Sequence, residues 1–61
     1  MRRSIDDMLK ELYMMDKANN YSIHYMCGRW QIRNSRTGEG IDTDAGFLKA
    51  KRWMLKNMDN K

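Results

Sequence analysis

Apolar residues near the start of the chain recur with the spacing of an α-helix. Ser4 is followed three positions later by Asp7, the pattern of a helix N-cap with an acidic residue in the first turn. The apolar stripe then occupies positions i, i+3, i+4, i+7 and i+8, at Ile5, Met8, Leu9, Leu12 and Tyr13. Asn19 and Asn20 tolerate a left-handed backbone and suit a C-terminal stop. The pattern predicts an amphipathic helix from about Ile5 to Ala18.

The period of the pattern changes to two residues at Tyr21. Aromatic and β-branched residues alternate with polar ones on both sides of Gly28, which predicts a β-hairpin over about residues 21–34. One face of the hairpin is apolar and consists of Tyr21, Ile23, Tyr25, Trp30 and Ile32. The other is polar apart from Met26 and consists of Ser22, His24, Arg29, Gln31 and Arg33. Such a sheet buries one face and leaves the other in water. We expect Cys27, at an apolar-face position, to be a small buried residue.

The rest of the chain predicts a loop, a short strand and a second helix. Residues 35–40 contain Gly38 and Gly40 and predict a loop, and Ile41 is a candidate for a short third strand. A helix is predicted over about residues 44–58. Phe47, Met54 and Met58 lie together on its helical wheel, with Leu48 and Leu55 on one shoulder and Ala50 and Trp53 on the other.

The element order α-β-β-(β)-α predicts a single α+β domain over residues 1–61. Its simplest assembly is a two- or three-stranded antiparallel sheet with both helices on one face. This order resembles that of the double-stranded-RNA-binding domain and of HicA-type toxins. The motifs of those families are not matched, because Asp42-Thr43-Asp44 follows the glycine loop where the RNA-binding fold has lysines. His24 also lacks the Gly-Ser that precedes the toxin histidine.

Composition narrows the classes of function. The chain of 61 residues is 41% hydrophobic and 33% charged, which is typical of a globular protein. Its one cysteine excludes an internal disulfide framework and fits a reducing, cytoplasmic compartment. We expect no membrane span, metal or cofactor, because no apolar run of about 20 residues and no metal-ligand spacing is present. We also expect no small-molecule substrate and no enzymatic activity, since a chain this short has little room for an enclosed pocket.

Basic residues cluster on the polar faces of the hairpin and the second helix. The net charge is +4, while four of the acidic residues lie in the first helix. Segregated charge of this kind favours a salt-sensitive, sequence-tolerant contact with DNA or RNA. The predicted nucleic-acid-binding residues are Arg29, Gln31, Arg33, Arg36, Lys49, Arg52 and Lys56. So compact a basic chain is also typical of regulatory accessory proteins of phages and mobile elements, although a solvated basic surface would give the same pattern.

Two other functions are compatible with the sequence. Seven methionines suggest an adaptable apolar surface for a protein partner or a homodimer, although a small core also uses Met as a filler. The residues predicted for that surface are Tyr13, Met14, Met15, Met26 and Trp53. The weaker alternative is a small RNase-like toxin in which His24 acts as a general acid or base, with Arg29 and Arg33 across the hairpin.

Overall fold

The fold contains two helices and one antiparallel sheet. A computed structural model describes residues 4–59. The elements in chain order are α1 (Ile5–Met15), β1 (Tyr21–Met26), β2 (Arg29–Asn34), β3 (Gly40–Thr43) and α2 (Phe47–Asp59). The strands are ordered β1-β2-β3, with β2 in the centre. The predicted α+β class is confirmed, and the strand predicted near Ile41 completes the sheet.

The core lies between the two helices and one face of the sheet. Its fully buried members from the helices are Leu12 on α1 and Ala50 and Met54 on α2. The sheet contributes Tyr21, Ile23, Trp30 and Ile32, which share one face because side chains alternate along a strand. Each large side chain buried in this way contributes about 1.5–3 kcal/mol to folding. Both helices therefore cover the face that the sequence predicts to be apolar.

The first helix ends three residues earlier than predicted. Its C-cap is Asp16, whose side chain is buried. The two carboxylate oxygens accept hydrogen bonds from the backbone N–H groups of Asn20, at 2.8 Å, and Tyr21, at 2.9 Å. Asn19 takes the left-handed conformation with φ of 57°. Asp16 therefore turns the chain from α1 into β1, and the helix cannot continue to Ala18.

The second helix begins three residues later than predicted. Gly46 has φ of 113°, which lies outside the helical region, so the helix starts at Phe47. The carbonyl of Gly46 accepts the N–H of Ala50, and the hydroxyl of Thr43 accepts the N–H of Ala45. The acidic residues at 42–44 therefore belong to the end of β3 and the connection, while the helix extends to Asp59.

A polar network closes the end of the core beside the 35–39 loop. Tyr21 donates its hydroxyl to Asn57 Oδ1 at 2.6 Å, and Asn34 donates its amide to the same oxygen at 2.8 Å. Asn34 Oδ1 accepts the backbone N–H groups of Arg36 and Thr37, while Asn57 Nδ2 donates to Glu39. The network joins β1, β2, the loop and α2 at one point.

One prediction about burial is wrong. Cys27 is exposed because it occupies the hairpin turn, with φ of 50°, and not the last position of β1. Leu48 and Leu55, predicted on the shoulder of the apolar arc, are 66% and 47% exposed. They lie on the outer side of α2 because Ala50 and Met54 are the residues that point into the core.

Within residues 4–59, neither helix has the length and apolar character that crossing a membrane requires.

Candidate nucleic-acid interface

The face of the sheet opposite the helices is polar and open. Ser22 and His24 lie on β1, and Gln31 and Arg33 lie on β2, all of them exposed. Ser22 pairs with Arg33 across the strands, and His24 pairs with Gln31. On the other side of β2, Gln31 pairs with Asp42 of β3. Both helices pack on the apolar face, so this row of donors is presented to solvent.

Asp42 organises one half of this face. It accepts Arg29 Nε at 3.0 Å and Gln31 Nε2 at 3.4 Å. Asp44 lies at 4.0 Å from a second nitrogen of Arg29. The Arg29–Asp42 ion pair is about half exposed on both sides, and such pairs contribute at most about 1 kcal/mol. Arg29 is therefore held over β3 by a contact weak enough to be exchanged for a phosphate.

Arg33 carries the positive charge of the other half, and Arg36 adds an exposed charge in the adjoining loop. Arg33 is exposed on β2 and has no ion pair with any of residues 4–59. Arg36 lies in the loop after β2, where Asn34 Oδ1 holds its backbone N–H at 2.9 Å. Its side chain also lacks an acidic partner among the described residues. These two guanidinium groups remain available to an anion.

A shallow hollow of about 600 Å³ lies on the open face beside Arg33. It extends from β1 across β2 to the first residues of β3. Its lining includes Ser22, His24, Gln31, Arg33 and Gly40. A Cβ at Gly40 would lie 2.8 Å from the carbonyl oxygen of Ile32, so a glycine is required there. Arg33 consequently faces a position without a side chain on β3, which keeps the hollow open.

Lys49 and Arg52 of α2 lie away from the open face of the sheet. Both are exposed, and Arg52 lies across the helix from Ala50 and Met54, which are fully buried. Lys56 is also exposed, but it lines a hollow with Gly40 and so lies beside the start of β3. The hairpin and the helix share one core, so their polar faces point in opposite directions. Lys49 and Arg52 therefore form a helix group that faces away from the sheet group, Arg29 and Arg33, while Lys56 lies between the two groups. That division follows from the two apolar stripes once they are assigned to the same core.

The five residues predicted for a protein contact are not brought together. Met15 and Trp53 pack against the core, and Trp53 makes an edge-on ring contact with Tyr21 at 6.3 Å. The Tyr13 hydroxyl donates to the carbonyl of Ile23 at 2.9 Å and so covers part of the β1 edge.

The exposed apolar side chains of the helix side differ from the predicted set. Met14 on α1 is 69% exposed there, whereas Met26 is 65% exposed on the open face of the sheet, opposite Arg29. Leu48 and Leu55, predicted on a shoulder of the helical wheel, are the exposed apolar residues of α2. A count of hydrophobic positions cannot separate them from core residues, because the wheel of α2 carries more apolar residues than its buried face holds.

His24 lies on the open face, and its side chain makes no hydrogen bond or ion pair with any of residues 4–59. Its directly opposite neighbour is Gln31, and Arg33 is its diagonal neighbour. An activated nucleophile needs a base oriented by a third group, and residues 4–59 place no such set around His24. The same residues contain no group of three or more His, Cys, Asp or Glu side chains arranged to hold a metal ion.

Comparison of the chain with protein-family models, with curated proteins and with solved structures found no match. By its own geometry the site is an open, donor-rich sheet face with the unpaired guanidinium group of Arg33 at one end and Arg36 in the adjoining loop.

Proposed function

We propose that the protein binds duplex DNA through the open face of its sheet. The observation that carries this proposal is the uncovered polar face, on which Arg33 stands without an acidic partner. Hydrogen-bond donors surround it, and the single carboxylate of the neighbouring row, on Asp42, is already occupied by Arg29 and Gln31. Such a face attracts a polyanion and supplies donors to it.

The dimensions of the sheet favour B-form DNA. Neighbouring strands lie about 4.8 Å apart, so the two strands of the β1–β2 hairpin form a ribbon narrower than the major groove of B-form DNA, which is about 12 Å wide. That groove admits a two-stranded antiparallel ribbon. The major groove of A-form RNA is too narrow and deep for side chains to read. The proposal therefore places β2, the central strand, along the major groove.

The distribution of aromatic residues favours a duplex over a single strand. Proteins that bind single strands stack successive bases on exposed aromatic rings. Here Tyr21, Tyr25 and Trp30 all lie on the face that the helices cover, and Trp30 contacts Phe47 of α2 at 5.6 Å. Among the described residues, the open face carries no Phe, Tyr or Trp side chain. It offers charge and hydrogen bonds, which suit a paired backbone and groove.

Each residue of the open face then has a distinct role. Arg33 and Arg36 neutralise phosphates, while Gln31, at the centre of the sheet, is positioned to contact base edges. Arg29 adds a third cation when it exchanges Asp42 for a phosphate. If Arg33 and Arg36 each neutralise one phosphate, raising the salt from about 50 to about 200 mM lowers the affinity roughly tenfold.

Fluorescence anisotropy with a labelled duplex tests this proposal. Arg33→Ala is expected to weaken binding and to reduce the salt dependence by about one phosphate. Arg52→Ala removes the same charge from the opposite side of the molecule and is the matched control, with an affinity close to that of the original protein. Absence of binding at low salt, or a greater loss from Arg52→Ala than from Arg33→Ala, would contradict the proposal.

A protein contact through the helix side is the second candidate function. Met14, Leu48 and Leu55 are between 47% and 69% exposed, which is high for large apolar residues on two neighbouring helices. The Lys51–Glu11 ion pair links the two helices. Sedimentation of the protein and of a Leu48→Ser, Leu55→Ser variant tests the self-associating form. A monomer at high concentration in both proteins would exclude a homodimer.

A further inference from the structure

The hollow beside Gly40 has the composition of an anion site. Three of the side chains that line it end in hydrogen-bond donors without a partner among residues 4–59: Ser22, His24 and Arg33. The carboxylate in its lining belongs to Asp42, which already accepts hydrogen bonds from Arg29 and Gln31. The unsatisfied capacity of the hollow therefore consists of donors.

The strand register brings these donors to one place. Ser22 is directly opposite Arg33 on β1, and His24 is its diagonal neighbour, beside Gln31. Directly opposite residues have Cβ atoms about 4.5–5.5 Å apart and diagonal ones about 7–8 Å apart. A tetrahedral anion above the sheet at this point lies within reach of all three side chains, and the sheet holds their backbones in fixed relative positions.

Gly40 leaves the space beside Arg33 on the β3 side without a side chain. It pairs with Arg33 on β3, where the Cβ of any other residue would lie 3.6 Å from the Cβ of Arg33. A Cβ at this position would also meet the Ile32 carbonyl at 2.8 Å. The close approach of β3 to β2 and the open floor of the hollow thus depend on the same residue.

We infer that this hollow binds one phosphodiester group of the DNA backbone, held by the Arg33 guanidinium, the Ser22 hydroxyl and the His24 ring N–H. The inference rests on the proposed function, and it fixes the position of the DNA backbone relative to β2. A planar guanidinium binds two phosphate oxygens at once, which a lysine ammonium cannot do. When a backbone phosphate binds beside Gly40, Gln31 lies over the groove, because it is two residues before Arg33 on β2 and on the same face.

The affinities of the Arg33→Lys and Ser22→Ala variants for a DNA duplex test the subsite separately from non-specific electrostatic attraction between the protein and DNA. Arg33→Lys keeps the positive charge but loses the bidentate hydrogen bonding of the guanidinium group, so about a fivefold to tenfold loss of affinity is expected. Ser22→Ala removes one donor, and about a threefold loss is expected. Arg52→Lys makes the same exchange on α2 and is expected to change nothing. Wild-type affinity in both Arg33→Lys and Ser22→Ala would overturn the subsite while leaving duplex binding intact.

Titration of the ¹⁵N-labelled protein with inorganic phosphate supplies a readout that does not need DNA. Saturable shifts at Ser22, Arg33 and Gly40 that disappear in Arg33→Ala are expected. Shifts spread evenly over the basic residues of α2 and the sheet would overturn the subsite. If the wild-type protein fails to bind a duplex but shows the phosphate shifts, the proposed function fails and the anion site remains.

Discussion

Cys27 occupies a backbone conformation that most residues avoid. Its φ is 50°, and the next residue, Gly28, has φ of 79°. Positive φ at both central residues of a two-residue hairpin loop defines a type I′ turn, for which Asn-Gly is strongly preferred. We predict that Cys27→Asn raises the free energy of unfolding by about 0.5–1 kcal/mol, because asparagine tolerates the left-handed region better. Urea unfolding measures the change.

Cys27→Ser is the control for that prediction, since it removes the thiol without the left-handed preference of asparagine. Equal stability of the Cys27→Asn and Cys27→Ser variants would contradict the assignment of strain to this residue.

Tyr21 links stability to alkaline pH. Burial raises the pKa of its phenol from the ordinary value of 10.0, the charges of Asp16 and Glu39 raise it further, and the hydrogen bond with Asn34 opposes the change. The native state therefore holds the proton more tightly than the unfolded state does. This stabilisation is complete below pH 10 and is lost as the pH rises through the raised pKa.

We predict that the free energy of unfolding falls above about pH 10 and falls less steeply in Tyr21→Phe, which has no phenol to titrate. Unfolding at several alkaline pH values measures both slopes. Tyr13 and Tyr25 are present in both proteins, so the difference between slopes reports Tyr21. Equal slopes in the two proteins would exclude a role for its proton.

At the scale of elements, the Asn34–Asn57 network connects segments that no local pattern joins. Asn57 accepts from Tyr21 and Asn34 and donates to Glu39. We predict that Asn57→Ala lowers the free energy of unfolding by about 1–3 kcal/mol, because the Tyr21 hydroxyl loses its acceptor and the Asn34 amide loses the closer of its two acceptors. Amide exchange in the 35–39 loop is expected to accelerate, since Asn34 and Glu39 lose the contact that fixes them to α2.

Lys56→Ala is the matched control for this change, because it truncates the exposed neighbour of Asn57 on the same helix. A loss of stability as small as that of Lys56→Ala would show that the network does not hold the loop.

The elements were predictable where a local pattern decides them. The hairpin was predicted at its observed bounds because Tyr21, Ile23, Trp30 and Ile32 alternate regularly and one face is buried. The bounds of the helices were less accurate, since α1 ends where Asp16 caps the next segment and α2 begins after Gly46 leaves the helical region. Both causes involve backbone geometry that residue spacing does not encode.

The candidate site was predictable in part. Gln31 and Arg33 were placed on the exposed face by alternation alone. The hollow was not, because it depends on the pairing of Gly40 with Arg33 across strands that the sequence joins by a loop. The exchange partner of Arg29 was missed for the same reason, since Asp42 meets it only when β3 docks against β2.

At the scale of the whole molecule, the shared core separates the charges. The sheet group and the helix group of basic residues face away from each other, so one duplex on the sheet face does not engage Lys49 and Arg52 directly. The affinity then depends on few phosphate contacts, and the salt dependence is expected to be correspondingly shallow. The exposed Met14, Leu48 and Leu55 remain on the side away from the DNA, where a protein partner can bind simultaneously.

An NMR titration of the ¹⁵N-labelled protein with a short B-form duplex tests the central claim most directly. We predict shifts of the backbone amides of Ser22, His24, Gln31 and Arg33 and of the loop containing Arg36, with the amides of Lys49 and Arg52 unchanged. Shifts that follow α2 around Arg52 and spare β2, or no shifts at low salt, would contradict the claim that the open sheet face binds DNA.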